Sequence, residues 1–336
     1  MSARGVLASL LDKSAALVAG MSNNQHNEIS TRAGFVAIVG QPNVGKSTLM
    51  NQVLGVKLSI ATPRPQTTRN RILGIYTDAP RGQIAFIDTP GLHESKKRLN
   101  RAIHKLALEA MAEVDIICHL VDAPACLAAH SREREVFWED YEVQIWEYLK
   151  AADVPVMLVV NKVDLIKDKT ALLPLLEAFA KQFDYKEIVP LSALDGDNVK
   201  SLINVLLGYL PQSDLIFPAD ELTDQPELFL AAEFIREQIM IETNREIPYS
   251  VAVEVEKFHE DTRTGVISVS AVIHVERNSQ KIIVVGKGGA RIKSIGQAAR
   301  QRMEHFWGKK VFLETFVRVQ KGWSEDAHSL KRFGYE

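Results

Sequence analysis

Short apolar runs alternate with longer amphipathic stretches from residue 35 to about 210. "FVAIVG" (35–40), "QIAFID" (83–88), "DIICHLV" (115–121), "VPVMLVVN" (154–161) and "EIVPLS" (187–192) are apolar at nearly every position. Runs of that length read as strands buried on both faces. Residues 100–113, 133–152, 169–183 and 198–207 instead place apolar side chains at helical spacing. Strands alternating with helices predict an α/β domain with a mostly parallel sheet covered on both sides. "ILGIYTDAPRGQIAFID" departs from the rhythm: two strands flank a Pro-Arg-Gly turn, which predicts an antiparallel hairpin at the sheet edge.

The pattern then breaks. "LPQSDLIFPADELTDQPE" (210–227) carries three prolines, several acids and no periodicity, the composition of a linker. Beyond it come a helical pattern (228–243), the alternating strands "SVAVEVEKF" and "GVISVSAVIHVE", a basic stretch interrupted by glycines, and a last strand, "KVFLETFVRVQ". The expected organisation is a disordered tail (1–32), an α/β domain (33–210), a linker (211–227), a smaller α+β domain (228–320) and a C-terminal tail (321–336). The first 20 residues are a weak amphipathic tail, or lie ahead of an alternative start at Met21. No run reaches the ~18 uninterrupted apolar residues of a spanning helix.

Composition adds limits. At 336 residues, 46% hydrophobic and 24% charged, the chain has the makeup of a two-domain globular protein. A net charge of −2 excludes a generally polyanion-binding surface, so any nucleic-acid surface must be a local patch. Cys118 and Cys126 fit no metal spacing and read as reduced thiols of a cytosolic protein.

Four motifs carry chemistry, each at the end of an expected strand. "GQPNVGKST" (40–48) fits G-x-x-x-x-G-K-[ST] between a strand and a helix. Gln41, Pro42, Asn43, Val44, Gly45 and Thr48 would form the loop whose amides face phosphate oxygens. Lys46 would bridge the β- and γ-phosphates, and Ser47 would ligate Mg²⁺. Asp88 in "DTPG" matches a Walker B acid holding Mg²⁺ through water, and Gly91 can offer its amide to the γ-phosphate. In "NKVD", Asp164 can accept from guanine N1–H and the exocyclic amine, a pattern that adenine does not present. Asn161 would tie this loop to the phosphate loop, and the Lys162 stem would cover the base. "SALDG" supplies Ser192, Ala193 and Leu194, with the Ala193 amide assigned to the guanine oxygen. The nucleotide is therefore GTP or GDP rather than ATP. In the polar stretch 57–73, Thr68 is the choice for a second hydroxyl on Mg²⁺, with Thr67 as competitor.

"GQPNVGKSTLMN", "QTTRNRILGI", "DTPGL" and "NKVD" together resemble the Era family of GTPases. "SQKIIVVGKGGARIKSIGQAAR" resembles that family's type II K-homology (KH) core, and "KGWSEDAHSLKRFGY" its C-terminal tail. The likeness spans roughly residues 33–335; the N-terminal extension and the long stretch after residue 122 depart from it. The resemblance implies a P-loop GTPase domain followed by a KH domain, and a GTPase that is a monomer. Its partners would be the 3′ region of small-subunit ribosomal RNA and the assembling small subunit. It also implies a cytoplasmic protein with peripheral association at the inner face of the cell membrane. "KIIVV" is strand by propensity, but the resemblance makes it a short helix.

In KH domains a GXXG loop joins two short helices and clamps about four nucleotides. Gly286, Lys287, Gly288 and Gly289 fit it, with Arg291 and Lys293 beside them. Between residues 277 and 310 nine Lys/Arg face one acid, Glu304, which leaves the rest of the chain near −10. Positive charge is thus concentrated beside the loop. Leu92 stands where many GTPases place a water-orienting glutamine. Asn43 sits where related GTPases hold a monovalent cation, so K⁺ is a further candidate cofactor. Two other classes compete: an RNA-modifying enzyme gated by GTP, and a membrane-linked signalling GTPase without an RNA role.

Overall fold

The computed structural model describes residues 31–62, 68–90, 99, 109, 113–132, 140–243, 247 and 250–335. The first domain is a six-stranded sheet in the order β2-β3-β1-β4-β5-β6. Its strands are β1 (Arg32–Val39), β2 (Ile72–Asp78), β3 (Gly82–Asp88), β4 (Ile116–Asp122), β5 (Val156–Asn161) and β6 (Glu187–Pro190). All neighbours are parallel except β2 and β3, which form the expected antiparallel edge hairpin. Along β1, Val36 and Ile38 enter one core while Ala37 and Val39 enter the other. Burial on both faces is why these strands lack polar alternation. Helices α1 (Lys46–Leu54) and α5 (Val199–Tyr209) cover the first face; α3 (Asp140–Ala151) and α4 (Leu172–Gln182) cover the second.

The described part of the long stretch after β4 forms α2 (Ala123–Arg132) and then α3. The Asp122 carboxylate starts α2 by accepting from the Ala125 amide at 3.0 Å. Of the expected tail 1–32, residues 1–30 lie outside the described residues and Arg32 already belongs to β1; most of the helical pattern 100–113 also lies outside them.

Residues 211–227 form a strap along the first domain. Ser213 N–H donates to the Thr31 carbonyl (3.0 Å), and Ile75 N–H on β2 donates to the Leu222 carbonyl (2.9 Å). The buried Gln83 side chain accepts from the Ile216 and Phe217 amides at 3.0 and 2.9 Å. The strap occupies the Ile75 amide and, through the Thr223 hydroxyl, the Leu73 carbonyl of the edge strand, groups that would otherwise template pairing with another chain. Its prolines mark irregular backbone, and long-range hydrogen bonds fix it in place.

The second domain runs α6 (Glu227–Glu242), β7 (Val251–Glu260), β8 (Ile267–Val275), α7 (Asn278–Val285), α8 (Ala290–Trp307), β9 (Val311–Val319). β8 pairs antiparallel with β7 and parallel with β9. The β-branched "KIIVV" is helical because a cap outweighs its weak strand preference. Gln280 Oε1 accepts from the Glu276 and Arg277 amides (2.9 and 3.0 Å), and Val284 is buried. α8 has 18 residues, so the glycine loop joins one short helix to one long one.

The C-terminal tail is folded too. Trp323 is fully buried, and α9 (Ala327–Arg332) is capped by Asp326, which accepts from the Ser329 amide at 2.8 Å. Trp323, Leu330 and Tyr335 share a small core with Ala252 of β7 and Leu99 of the first domain.

Candidate functional site

The turn from β1 into α1 is built to curl around an anion. Gly45 has φ +106°, and a Cβ there would meet Asn161 Nδ2 at 2.3 Å, so only glycine fits. The Asn161 amide comes that close because it is a tie: Nδ2 donates to the Val44 carbonyl (2.7 Å), and Oδ1 accepts from Ala193 N–H (2.9 Å). One side chain at the end of β5 thus joins the phosphate loop to the 192–196 loop. The Ala193 amide, assigned from sequence to the guanine oxygen, donates to Asn161 Oδ1 in this structure.

Lys46 Nζ donates to the carbonyls of Gly40 (3.0 Å) and Gln41 (2.9 Å). Burial lowers its pKa to about 8, against the opposing pull of Asp88. Ser47 Oγ donates to Asp88 Oδ2 at 2.7 Å, and Thr68 Oγ1 donates to the same oxygen at 3.2 Å. The two hydroxyls are 3.0 Å apart. Burial pushes the Asp88 carboxyl up, while the Ser47 hydrogen bond and the Lys46 charge pull it down. Asp88 Oδ1 is buried and has no hydrogen-bond partner among the described residues. An orphaned carboxylate oxygen beside two hydroxyls is a donor set that a hard divalent cation satisfies.

Asn43 is exposed at φ +65°. Its carbonyl accepts from Lys162 Nζ (2.8 Å), which also reaches Asp122 Oδ2 (2.5 Å). Asp122 was not singled out from sequence, since an acid ending a strand has no distinguishing neighbour pattern. Asp164 is exposed in the turn Val163–Leu165. Ser192 is buried and accepts from the Asp195 amide (3.2 Å), whereas Leu194 is exposed. Val44 is buried; Gln41, Pro42 and Thr48 are half-buried around the turn. Gly91, Leu92 and Thr67 lie outside the described residues.

The second glycine loop sits where α7 meets α8. Gly286, Gly288 and Gly289 all have positive φ. A Cβ on Gly288 would meet nothing within 4 Å, so the surface above the turn is open. Lys287 and Lys293 are exposed, and Arg291 donates to the Ile283 carbonyl across the loop (2.5 Å).

Residues 35–162 match the model of a family described as 50S ribosome-binding GTPase, and residues 246–324 match a KH domain. GTPase Era of Geotalea uraniireducens (strain Rf4) is 50% identical over 305 residues, covering 91% of this chain and 98% of that protein. The chain belongs to the Era family of GTPases. GTPase Era of Xanthomonas oryzae pv. oryzae (strain MAFF 311018) is 46% identical over 306 residues, covering 91% and 97%. A single-substitution variant of Aquifex aeolicus Era bound to GDP·AlF4⁻ superposes with a TM-score of 0.85 at 38% identity, covering 91% of this chain and 99% of that one. An Era complex with MgGDPNP and nucleotides 1506–1542 of 16S ribosomal RNA gives 0.84 at 38% identity with the same coverage. The expected Era architecture, a P-loop GTPase domain followed by a KH domain, is borne out.

Proposed function

We propose that this Era-family GTPase binds the 3′ region of small-subunit ribosomal RNA through its KH domain and acts in assembly of that subunit. The observation that carries the reading is the pairing, in one chain, of a buried Ser47–Thr68–Asp88 cluster with an open, basic-flanked glycine loop. The Era complex with MgGDPNP and 16S nucleotides supports it.

At the nucleotide site, Ser47, Thr68 and Asp88 are the residues that would hold Mg²⁺. The ion would neutralise charge on the transferring phosphoryl group. Lys46 would release its two carbonyls for the phosphates, the amides of residues 43–48 would cradle them, and the amide of Gly91 would meet the γ-phosphate. Asp164 would read guanine, the Lys162 stem would cover it, and the 192–194 loop would border it. At the KH loop, Gly286, Lys287, Gly288 and Gly289 would clamp phosphates, with Arg291 and Lys293 alongside.

The test is the double replacement Lys287→Asp and Gly288→Asp. It puts two anions where phosphate must approach. RNA binding should be lost and intrinsic GTP hydrolysis kept. The wild-type salt slope should correspond to several contacts at ~0.7 per contact for single-stranded RNA. A double variant that binds a 16S 3′-end oligonucleotide like wild type would refute the assignment.

With Leu92 in place of glutamine, hydrolysis needs another source of charge stabilisation. A K⁺ ion held at Asn43 would act as an arginine finger does, a step worth roughly 10³–10⁵ where a finger is supplied. Single-turnover hydrolysis should then be faster in K⁺ than in Na⁺ at equal ionic strength, and Asn43→Ala should erase the difference. Equal rates in the two salts would rule this cation out.

A further inference from the structure

Three consecutive residues connect the cluster at Asp88 to the C-terminal tail. Thr68 donates to Asp88 Oδ2. Arg69 points the other way: its Nη1 donates to the Val251 carbonyl at the start of β7 (2.8 Å) and to the Tyr335 hydroxyl (3.3 Å). Its guanidinium lies 5.8 Å from the centre of the Tyr335 ring. Asn70, with its amide oriented to satisfy its neighbours, donates to the Gly334 carbonyl at 3.0 Å. Arg69 is 1% exposed and Tyr335 4%. Burial lowers the Arg69 pKa, and Tyr335 opposes that shift.

A buried guanidinium cannot leave its partners cheaply, because an unpaired interior charge is among the costliest groups in a fold. Arg69 therefore stays where Val251 and Tyr335 hold it. Adjacent Cα atoms are only about 3.8 Å apart, so fixing Arg69 confines Thr68. The tail is firmly held in turn. Trp323 Nε1 donates to the Ser250 carbonyl (3.3 Å), and Arg332 makes a bidentate pair with Glu254 of β7. Leu99, eleven residues after Asp88, packs into the same core as Tyr335.

We propose that Tyr335 is a positioning residue for GTP hydrolysis: through Arg69 it sets the Thr68 hydroxyl in the Mg²⁺ site, so the seating of the KH domain and its tail is read at the metal. The inference rests on the assignment of Ser47, Thr68 and Asp88 as the metal site. A displaced tail would leave Thr68 undirected and raise the Mg²⁺ concentration that hydrolysis requires. Sequence alone gives no hint of this, because Arg69 and Tyr335 are 266 positions apart.

The experiment uses the full chain with Tyr335→Ala, Tyr335→Phe and Thr68→Ala. Hydrogen exchange at the amides of residues 68–70, measured without nucleotide, should accelerate about tenfold in Tyr335→Ala, the factor set by one hydrogen bond to a charged group. The Mg²⁺ concentration for half-maximal single-turnover hydrolysis should rise by a similar factor. Tyr335→Phe keeps the ring beside Arg69 and should recover part of both effects. Exchange in α1 should not change, which separates positioning from general loosening. Wild-type exchange and Mg²⁺ requirement in Tyr335→Ala, alongside a raised requirement in Thr68→Ala, would overturn the tail linkage alone. An unchanged Mg²⁺ requirement in Thr68→Ala would overturn the metal assignment beneath it. Should Tyr335→Ala fail to fold, Tyr335→Phe and Asn70→Ala carry the same readouts, with wild-type values again refuting the linkage.

Discussion

Two glycine-built turns in this chain each precede a helix and each face a phosphate in the proposed function, yet they are made differently. The 40–48 turn is walled in. A Cβ at Gly45 would strike the Asn161 amide at 2.3 Å, Lys46 is buried on two carbonyls, and Ser47 is fixed on Asp88. The 286–289 turn is open. A Cβ at Gly288 would touch nothing, and Lys287 and Lys293 extend into solvent. The first arrangement suits a compact polyphosphate and a metal ion, because a dry enclosure strengthens each charge contact. The second suits a polymer, which cannot enter an enclosure and is held by many screened contacts along its length. Local sequence makes both turns; the neighbours decide which is a pocket and which is a clamp.

The comparison can be sharpened most through selectivity. The proposed base reader, Asp164, belongs to the nucleotide site, so Asp164→Asn should weaken GTP relative to XTP by roughly 10⁴, the scale on which polar complementarity discriminates. Competition titrations with both nucleotides measure it, and an unchanged preference would remove Asp164 from the site.

Next in size is a methyl group placed on each turn. Gly45→Ala forces a β-carbon into the Asn161 tie at φ +106° and should reduce GTP affinity at least ~100-fold. Gly288→Ala at φ +59° has free space and should cost the fold only ~1–2 kcal/mol, the left-handed penalty for one residue. Calorimetric nucleotide affinities and thermal melts of both variants report the contrast. Equal losses in the two would show that enclosure is not what separates these turns.

The smallest effect is electrostatic. Burial holds the Lys46 pKa at about 8 in the folded chain, well below the ordinary 10.5 of a lysine, so above pH 8 nucleotide binding must take up a proton. Affinity for GDP should fall with pH above 8, approaching tenfold per unit, while RNA affinity at the exposed loop does not carry this Lys46 dependence. The same shift has a defined sign for stability. The unfolded chain binds more protons between about pH 8 and 10.5, so the Lys46 contribution to stability improves as pH rises through that window. Calorimetry in two buffers of different ionisation enthalpy would detect the proton uptake, and its absence at pH 9 would contradict the lowering of the Lys46 pKa by burial.

Much of this was legible in the chain. The buried strands, the edge hairpin and the helices on each face of the sheet follow from periodicity, since a strand covered on both sides must be apolar throughout. Individual ties were less accessible. Asn161 reads as a link to the phosphate loop from its motif, yet its second bond, to the Ala193 amide, depends on two strand ends meeting. The strap 211–227 reads as a linker because prolines and acids describe irregular backbone and are silent about what lies alongside it. "KIIVV" is strand by propensity and helix only by the family resemblance; the Gln280 cap is the physical reason that the helix wins.

The sequence by itself determined the elements, the four nucleotide motifs, the concentration of positive charge beside the GKGG loop and the Era membership that those imply. These are local properties, written in spacing and composition along contiguous residues. Only the tertiary structure decided that Arg69 is buried against Tyr335 and Val251, that the tail packs with Leu99, and that one glycine turn is enclosed while the other lies open. Burial and charge pairing belong to residues brought together from distant parts of the chain, so no window along it contains them.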